Sequence, residues 1–515
     1  MNSSSGNAEI TSITLSSSSS ASSSSKPGQS QVTTSGFTVY NGSNAVGDWC
    51  QGDSCSDYCK PGSVINNTTS CKVYIRANKT ANAFGSPLTA TLTVITPGSQ
   101  TQFKLTNMPV LYAAGNFKFA ADGSTADGIA QWKGSTWTQL RGGGLIQTND
   151  LSQFFNIYTL AIDEKGILYA GGLFDQTAAG LPVNHVAQWT GSEWLSVGSG
   201  FNTEAHRLFY YDGILYAGGP FTETGDSRSV QSVAYWDGTQ WQQLGTNPPA
   251  NAASSHLIFN FKVNGDYLYT AGQFTQLLDG STDANRIARY NFNTGEWSAL
   301  PDNNTNNSDA PQNTVQALAF NQAGTMLYVG GNPKSPPGLD SFFTSFDLSS
   351  QAWSRIPTFL QDLEFYKNKA IKKLVVRNDG FVYACGGFRG LNDANNQPIA
   401  HTEGIARYNI STGQWQSVGD GAVNLDLLTS NDLGDDLYLD TDNALYFAGS
   451  FTEVENTGSS PITARGIARW DNGAWTSLGG GVWAADSDIF PERNIRQVLR
   501  GQQLTVAQIA STTAS

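Results

Sequence analysis

Leu168-Tyr-Ala-Gly-Gly-Leu-Phe174 recurs along this chain with small variations, and the recurrence decides the fold. The other copies read Leu111-Tyr-Ala-Ala-Gly-Asn-Phe117, Leu215-Tyr-Ala-Gly-Gly-Pro-Phe221, Leu268-Tyr-Thr-Ala-Gly-Gln-Phe274, Leu327-Tyr-Val-Gly-Gly331, Val382-Tyr-Ala-Cys-Gly-Gly-Phe388 and Leu445-Tyr-Phe-Ala-Gly-Ser-Phe451. Their tyrosines stand 47 to 63 residues apart, and each is followed 25 to 32 residues later by a tryptophan. These are Trp137, Trp194, Trp241, Trp297, Trp353, Trp415 and Trp475. Self-similarity at such a period is the mark of a repeat architecture.

A second aromatic precedes each tryptophan at one of two offsets. It lies five residues earlier in Trp132, Trp189, Trp236 and Trp470, and seven earlier in Tyr290, Phe346 and Tyr408. The links, such as Asp237-Gly-Thr-Gln240 and Asn291-Phe-Asn-Thr-Gly-Glu296, hold turn formers between β-rich runs, as hairpins do. A further apolar run opens each unit, for example at 157–162, 207–211 and 315–320. Every repeat therefore supplies four short strands, a to d. Strand b carries the Tyr-Gly-Gly motif, strand c the first aromatic and strand d the tryptophan. Seven four-stranded units repeated radially make an all-β, seven-bladed β-propeller of four-stranded blades, expected over 108–500.

Little before Val110 reads as a strand a for blade 1, whereas Asn494-Ile-Arg-Gln-Val-Leu-Arg500 does. That segment is expected to complete blade 1 and close the ring. In the tail, 501–515, Gln503-Leu-Thr-Val-Ala-Gln-Ile509 has no place in the scheme except as a truncated further repeat.

The unit ending in Tyr290-Asn-Phe-Asn-Thr-Gly-Glu-Trp-Ser-Ala-Leu300 resembles a kelch repeat of the galactose-oxidase/kelch superfamily. The form Gly-Gly-Leu-Phe174, a loop, then Asn184-His-Val-Ala-Gln-Trp-Thr-Gly-Ser-Glu-Trp194 is similar to bacterial surface kelch-like repeats and to the fungal cortical marker of cell polarity. The resemblance covers about three quarters of the chain in seven copies. It implies the propeller and leaves function open, because such scaffolds host unrelated roles.

The first hundred residues differ. Residues 1–35 are Ser-rich and read as a partly disordered lead-in, with Ile10-Thr-Ser-Ile-Thr-Leu15 as an edge strand. Gly36-Phe-Thr-Val-Tyr-Asn41, Cys71-Lys-Val-Tyr-Ile75 and Leu88-Thr-Ala-Thr-Leu-Thr-Val94 alternate apolar and polar like half-buried strands. Residues 36–107 resemble a bacterial Ig-like β-sandwich module, which implies a spacer or anchor. Cys50, Cys55, Cys59 and Cys71 cluster there and suggest two local disulfides with three pairings. Four thiolates could also suit zinc, but the spacings x4, x3 and x11 form no paired Cys-x2-Cys knuckles.

Composition narrows the partners. Net charge is −13 and the isoelectric point about 4.7, so a phosphate backbone is an unsuitable ligand and nucleic acid is excluded. Charged residues are 14%, against a usual ~25%, which leaves a surface of Ser, Thr, Asn, Gln and Gly such as secreted proteins carry. No apolar run reaches the ~18 residues needed to span a bilayer. Met1-Asn-Ser-Ser-Ser-Gly6 has neither a basic nor an apolar segment of a secretory signal. A secreted or cell-surface location is the expectation.

Catalytic patterns are sparse. Of the four histidines, His206 and His256 precede strand a of their blades, and His185 and His401 sit in loops. The superfamily's copper oxidases need His and Tyr ligands with a cysteine-linked tyrosine; the propeller's Cys385 instead stands where other repeats carry Ala or Gly, so no cofactor and no metal is expected. Asp435-Asp-Leu-Tyr-Leu-Asp-Thr-Asp442 could suggest calcium, but Asp440-Thr-Asp-Asn443 falls at an a–b turn, which explains it better. The scattered acids Asp420, Asp486 and Asp488 form no catalytic pattern.

Strand direction places the short a–b and c–d turns on one face, and the long b–c and d–a connections on the other. Loop variation on a rigid scaffold is where recognition sits. Asp226, Arg228, Asp283, Arg286, Arg389, His401, Glu453 and Arg465, all in b–c loops, are the candidate ligand residues. The resulting expectation is a non-enzymatic binding protein with a protein or glycan ligand at the long-loop face. A carbohydrate-active propeller, or a structural part of a surface assembly, is the alternative.

Overall fold

The computed structural model describes residues 8–9, 12–17, 31–34, 37–40, 64–65, 74–77, 88–96 and 99–513, the last span without 121–122, 149–155, 165, 251–257, 285, 302–308, 312, 333–342, 358, 361–369, 389, 394, 396, 424–432, 441, 457 and 484–494. The chain divides into two compact units, Met1–Val110 with Gly501–Ser515, and Leu111–Arg500.

In the first unit, Ser12–Ser17 pairs antiparallel with Leu88–Thr96, which pairs in turn with Ser99–Gly115. Gln31–Thr34, Phe37–Tyr40 and Tyr74–Ala77 form a three-stranded antiparallel sheet. The cysteines at 50, 55, 59 and 71 lie outside the described residues. The tail is the continuation of one long strand, Ile495–Thr513.

The second unit is a seven-bladed propeller. Blade 2 runs Ile157–Ile162, Leu168–Gly172, Val186–Trp189 and Trp194–Ser196, each strand antiparallel to the last. Blades 3 to 7 repeat that order with strand a at Arg207–Tyr211, Ile258–Asn264, Val315–Phe320, Ile371–Val376 and Gly434–Leu439. Blade 1 takes strands b, c and d from the end of Ser99–Gly115, Ile129–Trp132 and Trp137–Gln139. Its fourth strand is Ile495–Thr513, which pairs with Ser99–Gly115. The ring therefore closes as the sequence suggests.

The repeated residues are the ones that geometry requires. A Cβ on the second glycine of strand b would meet the backbone oxygen that precedes strand a, at 2.1 Å from Asn156 O for Gly172 and 1.9 Å from Ala370 O for Gly386. Nothing larger than hydrogen fits. The first small residue is freer, and Cys385, fully buried, takes that place in blade 6. In blades 3 to 6 the c–d turns are Asx turns: Asp237 Oδ1 accepts the N–H of Thr239 and Gln240, and Asn409 Oδ1 those of Ser411 and Thr412. Asp440 does the same work at an a–b turn, accepting the N–H of Asp442 and Ala444 and the hydroxyl of Tyr446.

Each strand-d tryptophan joins its blade to the preceding one. Its indole N–H donates to a carbonyl just past the previous strand d: Trp194 to Gly143, Trp241 to Val197, Trp297 to Leu244, Trp353 to Pro301, Trp415 to Pro357 and Trp475 to Val418. Trp137 completes the circle with Leu478 at 2.8 Å. Each ring also packs against the aromatic of its own strand c, at 4.8 Å for Phe346–Trp353 and 5.1 to 5.7 Å for the other six pairs.

A Trp241→Phe substitution keeps the apolar ring but strands the Val197 carbonyl, at a cost of about 1–3 kcal/mol, read as a lower denaturation midpoint. Deleting residues 490–515 removes strand a of blade 1 and should lower the melting temperature sharply. An unchanged melt would refute the closure.

Candidate functional site

The long-loop face is held by two repeated devices. The first closes the neck of the b–c loop in five blades. The N–H of the residue before strand c donates to the carbonyl of the Phe after strand b: Gly128 to Phe117, His185 to Phe174, Ser232 to Phe221, Gly404 to Phe388 and Gly466 to Phe451. These residues, with Arg286 in blade 4, have φ from 59° to 77°, the left-handed region that suits glycine. Blades 2, 3 and 4 place His185, Ser232 and Arg286 there instead.

The second device is a set of short antiparallel ribbons between blades. Leu145–Ile146 pairs with Gln176–Thr177, Pro249–Ala250 with Gln276–Leu277, Phe359–Leu360 with Leu391–Asn392, Ala422–Val423 with Glu453–Val454, and Val482–Trp483 with Phe119–Ala120. A single bridge, Phe201 to Thr224, does the same for blades 2 and 3. Each ribbon joins the segment after one blade's strand d to the b–c loop of the next. The loops read as variable are thus locked at their bases.

This framework takes up several of the candidate ligand residues. Asp226 and Arg228 pair with each other at 3.0 Å across a hairpin tip. The Asp226 carboxylate also accepts the hydroxyls of Thr224 and Ser199, and these bonds, then Arg228, hold its pKa well below the usual range. Arg286 donates to the Gln273 carbonyl, and burial lowers its pKa. Glu453 lies within a ribbon, and the Arg465 carbonyl accepts the N–H of Val482. Asp283 and His401 are exposed, and Arg389 lies outside the described residues. Among these candidates the structure brings Asp226 and Arg228 together as partners. Apolar side chains project from this face as well: Leu181 and Leu278, at the b–c tips of blades 2 and 4, are 40% and 43% exposed.

A second concentration of functional groups surrounds the propeller axis. Strand a carries a β-bulge between Ile157/Thr159, Ile258/Asn260, Val315/Ala317, Ile371/Lys373 and Gly434/Asp436. Bulges re-aim side chains. The extra residues are Tyr158, Phe259, Gln316, Lys372 and Asp435, with His206 and Arg496 at the equivalent places in blades 3 and 1. Arg496 lies over the Tyr158 ring at 4.6 Å, Tyr158 stacks on His206 at 4.8 Å, and His206 meets Phe259 edge-on at 5.9 Å. His206 also contacts Glu204 at 3.3 Å, and that hydrogen bond draws the Glu204 carboxyl down to about 2. Lys372 pairs with Asp435 at 2.7 Å.

The next layer is the residue of strand a paired with the first small residue of strand b: Thr159, Arg207, Asn260, Ala317, Lys373 and Asp436. Gln497 belongs with them, since its amide bonds both the N–H and the carbonyl of Leu160. Several bridge to the next blade: Thr159 accepts the N–H of Leu208, Asp436 that of Val498, and Asn260 donates to the Gln316 carbonyl. Lys373 pairs with Asp436 at 2.6 Å. Cys385 lies nearby, its thiol pushed up by burial, and serves as packing.

The loop candidates could be named from sequence, but the axial layers were missed. The signal was present as polar or charged residues at the start of otherwise apolar strands a, as in Ile371-Lys372-Lys373-Leu374.

No family profile matches this chain, and no curated protein matches it in sequence. Among solved structures it is similar to the extracellular domain of a one component system from B. thetaiotaomicron, at 12% identity and a TM-score of 0.41. That match covers 74% of this chain and 47% of the other, so the chain spans about half of that domain. It is also similar to the WD40 β-propeller of Doa1, at 12% identity over 67% of this chain and 85% of that one, TM-score 0.35. The Dos1 propeller matches at 9% identity over 72% and 78%, TM-score 0.37.

Ser232 gives a clean test of the neck. It is fully buried with φ 59°, and its hydroxyl has no hydrogen-bond partner among the described residues. Ser232→Gly removes both the strain and the orphaned hydroxyl and should stabilise the protein by about 1 kcal/mol, read as a raised melting temperature. Gly386→Ala should destabilise by roughly 3 kcal/mol, because a backbone oxygen cannot yield to the new methyl.

Proposed function

We propose that this chain is a non-enzymatic, secreted or cell-surface binding protein that recognises its ligand with the long-loop face of a kelch-type propeller. The observation that carries the reading is the pre-organisation of that face. Neck bonds and ribbons fix the loop bases before any partner arrives, which lowers the ordering cost of binding. Leu181 and Leu278 then supply apolar contacts at the tips. The Ig-like reading of 36–107, with disulfides among Cys50, Cys55, Cys59 and Cys71, would make the first unit the spacer or anchor. The antiparallel ladder of Gln31–Thr34, Phe37–Tyr40 and Tyr74–Ala77 supports it.

A carbohydrate-cleaving propeller would need two carboxylates about 5–10 Å apart, free to act as acid and as base or nucleophile. The axial acids Asp435 and Asp436 are each engaged by a lysine instead, which favours the binding reading.

The full chain applied to a glycan array, with and without calcium, tests this. A hit that is lost in the Leu181→Asp/Leu278→Asp variant, with the bound sugar left intact, supports glycan recognition. A blank array moves the ligand class to protein, to be found by cross-linking at a cell surface. Cleavage of a bound oligosaccharide, or a hit indifferent to the loop variant, would overturn the reading.

A further inference from the structure

The axial layers hold more positive charge than their acids neutralise. Arg207 of blade 3, Lys262 of blade 4 and Lys373 of blade 6 act on one another across the axis, with Asp436 as the acid that faces them. Asp436 is already committed, to Lys373 at 2.6 Å and to the Val498 N–H at 2.9 Å. The Arg207 Nε is buried without a hydrogen-bond partner among the described residues, and Lys262 has neither an ion pair nor a hydrogen bond there. Three cations thus face one spent carboxylate. Above them the same bias holds: Lys372 pairs with Asp435, and Arg496 is stacked on Tyr158.

The placement runs against the composition. The protein has 29 Lys and Arg against 42 Asp and Glu, yet it gathers these cations where they repel one another and have lost much of their water. Uncompensated charges in such surroundings cost several kcal/mol each unless a counter-charge arrives. Burial, then Lys373 and Arg207, draw the Lys262 ammonium down to about 8.

We propose that the axial cluster of cations binds a small oxyanion, the carboxylate or phosphate group of a low-molecular-weight ligand, held by Arg207 and Lys262 with Lys373 at its side. The guanidinium suits two oxygens of one anion, and the lysines supply point charges. The mouth layer of Tyr158, His206 and Phe259 offers aromatic surface to whatever the anionic group is attached to. This site is separate from the loop tips, and it stands or falls independently of them.

Calorimetric titration of the full chain at low salt, with inorganic phosphate and with citrate as probes, tests the proposal. One site per chain is expected, with affinity falling at least tenfold in Arg207→Ala and in Lys262→Met, and regained in Lys262→Arg. Binding by phosphate alone assigns a phosphate ligand, and binding by citrate alone a carboxylate ligand. Affinity should fall as pH rises past about 8, where Lys262 loses its proton; Lys373, Arg207 and Asp436 are the charged groups that act on it. Thermal melts provide the control for folding. Without an anion, Lys262→Met should raise the melting temperature by about 2 °C, because a repelled cation is gone, while cancelling the rise that phosphate or citrate gives the native chain. No binding by either probe, or binding untouched by both Arg207→Ala and Lys262→Met, would overturn it.

Discussion

Seven indole N–H groups, each bonded to a carbonyl of the neighbouring blade, are the interaction on which the rest of this propeller rests. A four-stranded blade cannot bury both of its faces alone, so each must find the next one at a fixed distance and angle. The strand-d tryptophan supplies both requirements, since its ring fills the gap between blades and its N–H tolerates only one offset. The glycine of strand b completes the rule from the inner side by letting the backbone before strand a pass within van der Waals contact. Together they define a wedge, and seven wedges close a circle.

Once the circle is fixed, its two ends differ. One carries tight turns, several of them Asx turns, with little freedom to vary. The other carries the long connections, anchored by ribbons and, in five blades, by the neck bond to the Phe after strand b. Asp226 and Arg228 show what such anchoring does to a charged loop: most of their hydrogen-bonding capacity is spent on each other and on Thr224, Ser199 and Gln240. The exposed leucines at the tips of blades 2 and 4 keep their surface open to a partner.

Much of the fold was legible in sequence because the repeat is written in residues with strict steric demands. The expected strands at 157–162, 207–211 and 315–320 are observed with the same bounds, and the segment ending at Arg500 does complete blade 1. The axial layers were hidden for a physical reason. Five strands a carry an extra residue and blade 3 does not, so Arg207 and Lys373 share a layer although their positions within their repeats differ. Only the ring places Lys262 within reach of both. The pairing of Asp226 with Arg228 was hidden too, since a hairpin tip that pairs Asp with Arg cannot be told from a free one by composition.

The borrowed strand of blade 1 also has a consequence for how the protein is made. Gln497 bonds the backbone of Leu160, 337 positions earlier, and Ile495–Thr513 pairs with a strand that ends at Gly115. At about 5–20 residues per second, a ribosome needs roughly 20 to 80 s to travel from one to the other. Through that interval the first blade has an open inner edge, a row of backbone donors and acceptors with nothing beside it. Biosynthesis of this ring therefore passes through a long-lived crescent whose exposed rim any passing extended peptide can occupy, and chaperoning that rim is part of the cost of a closed circle.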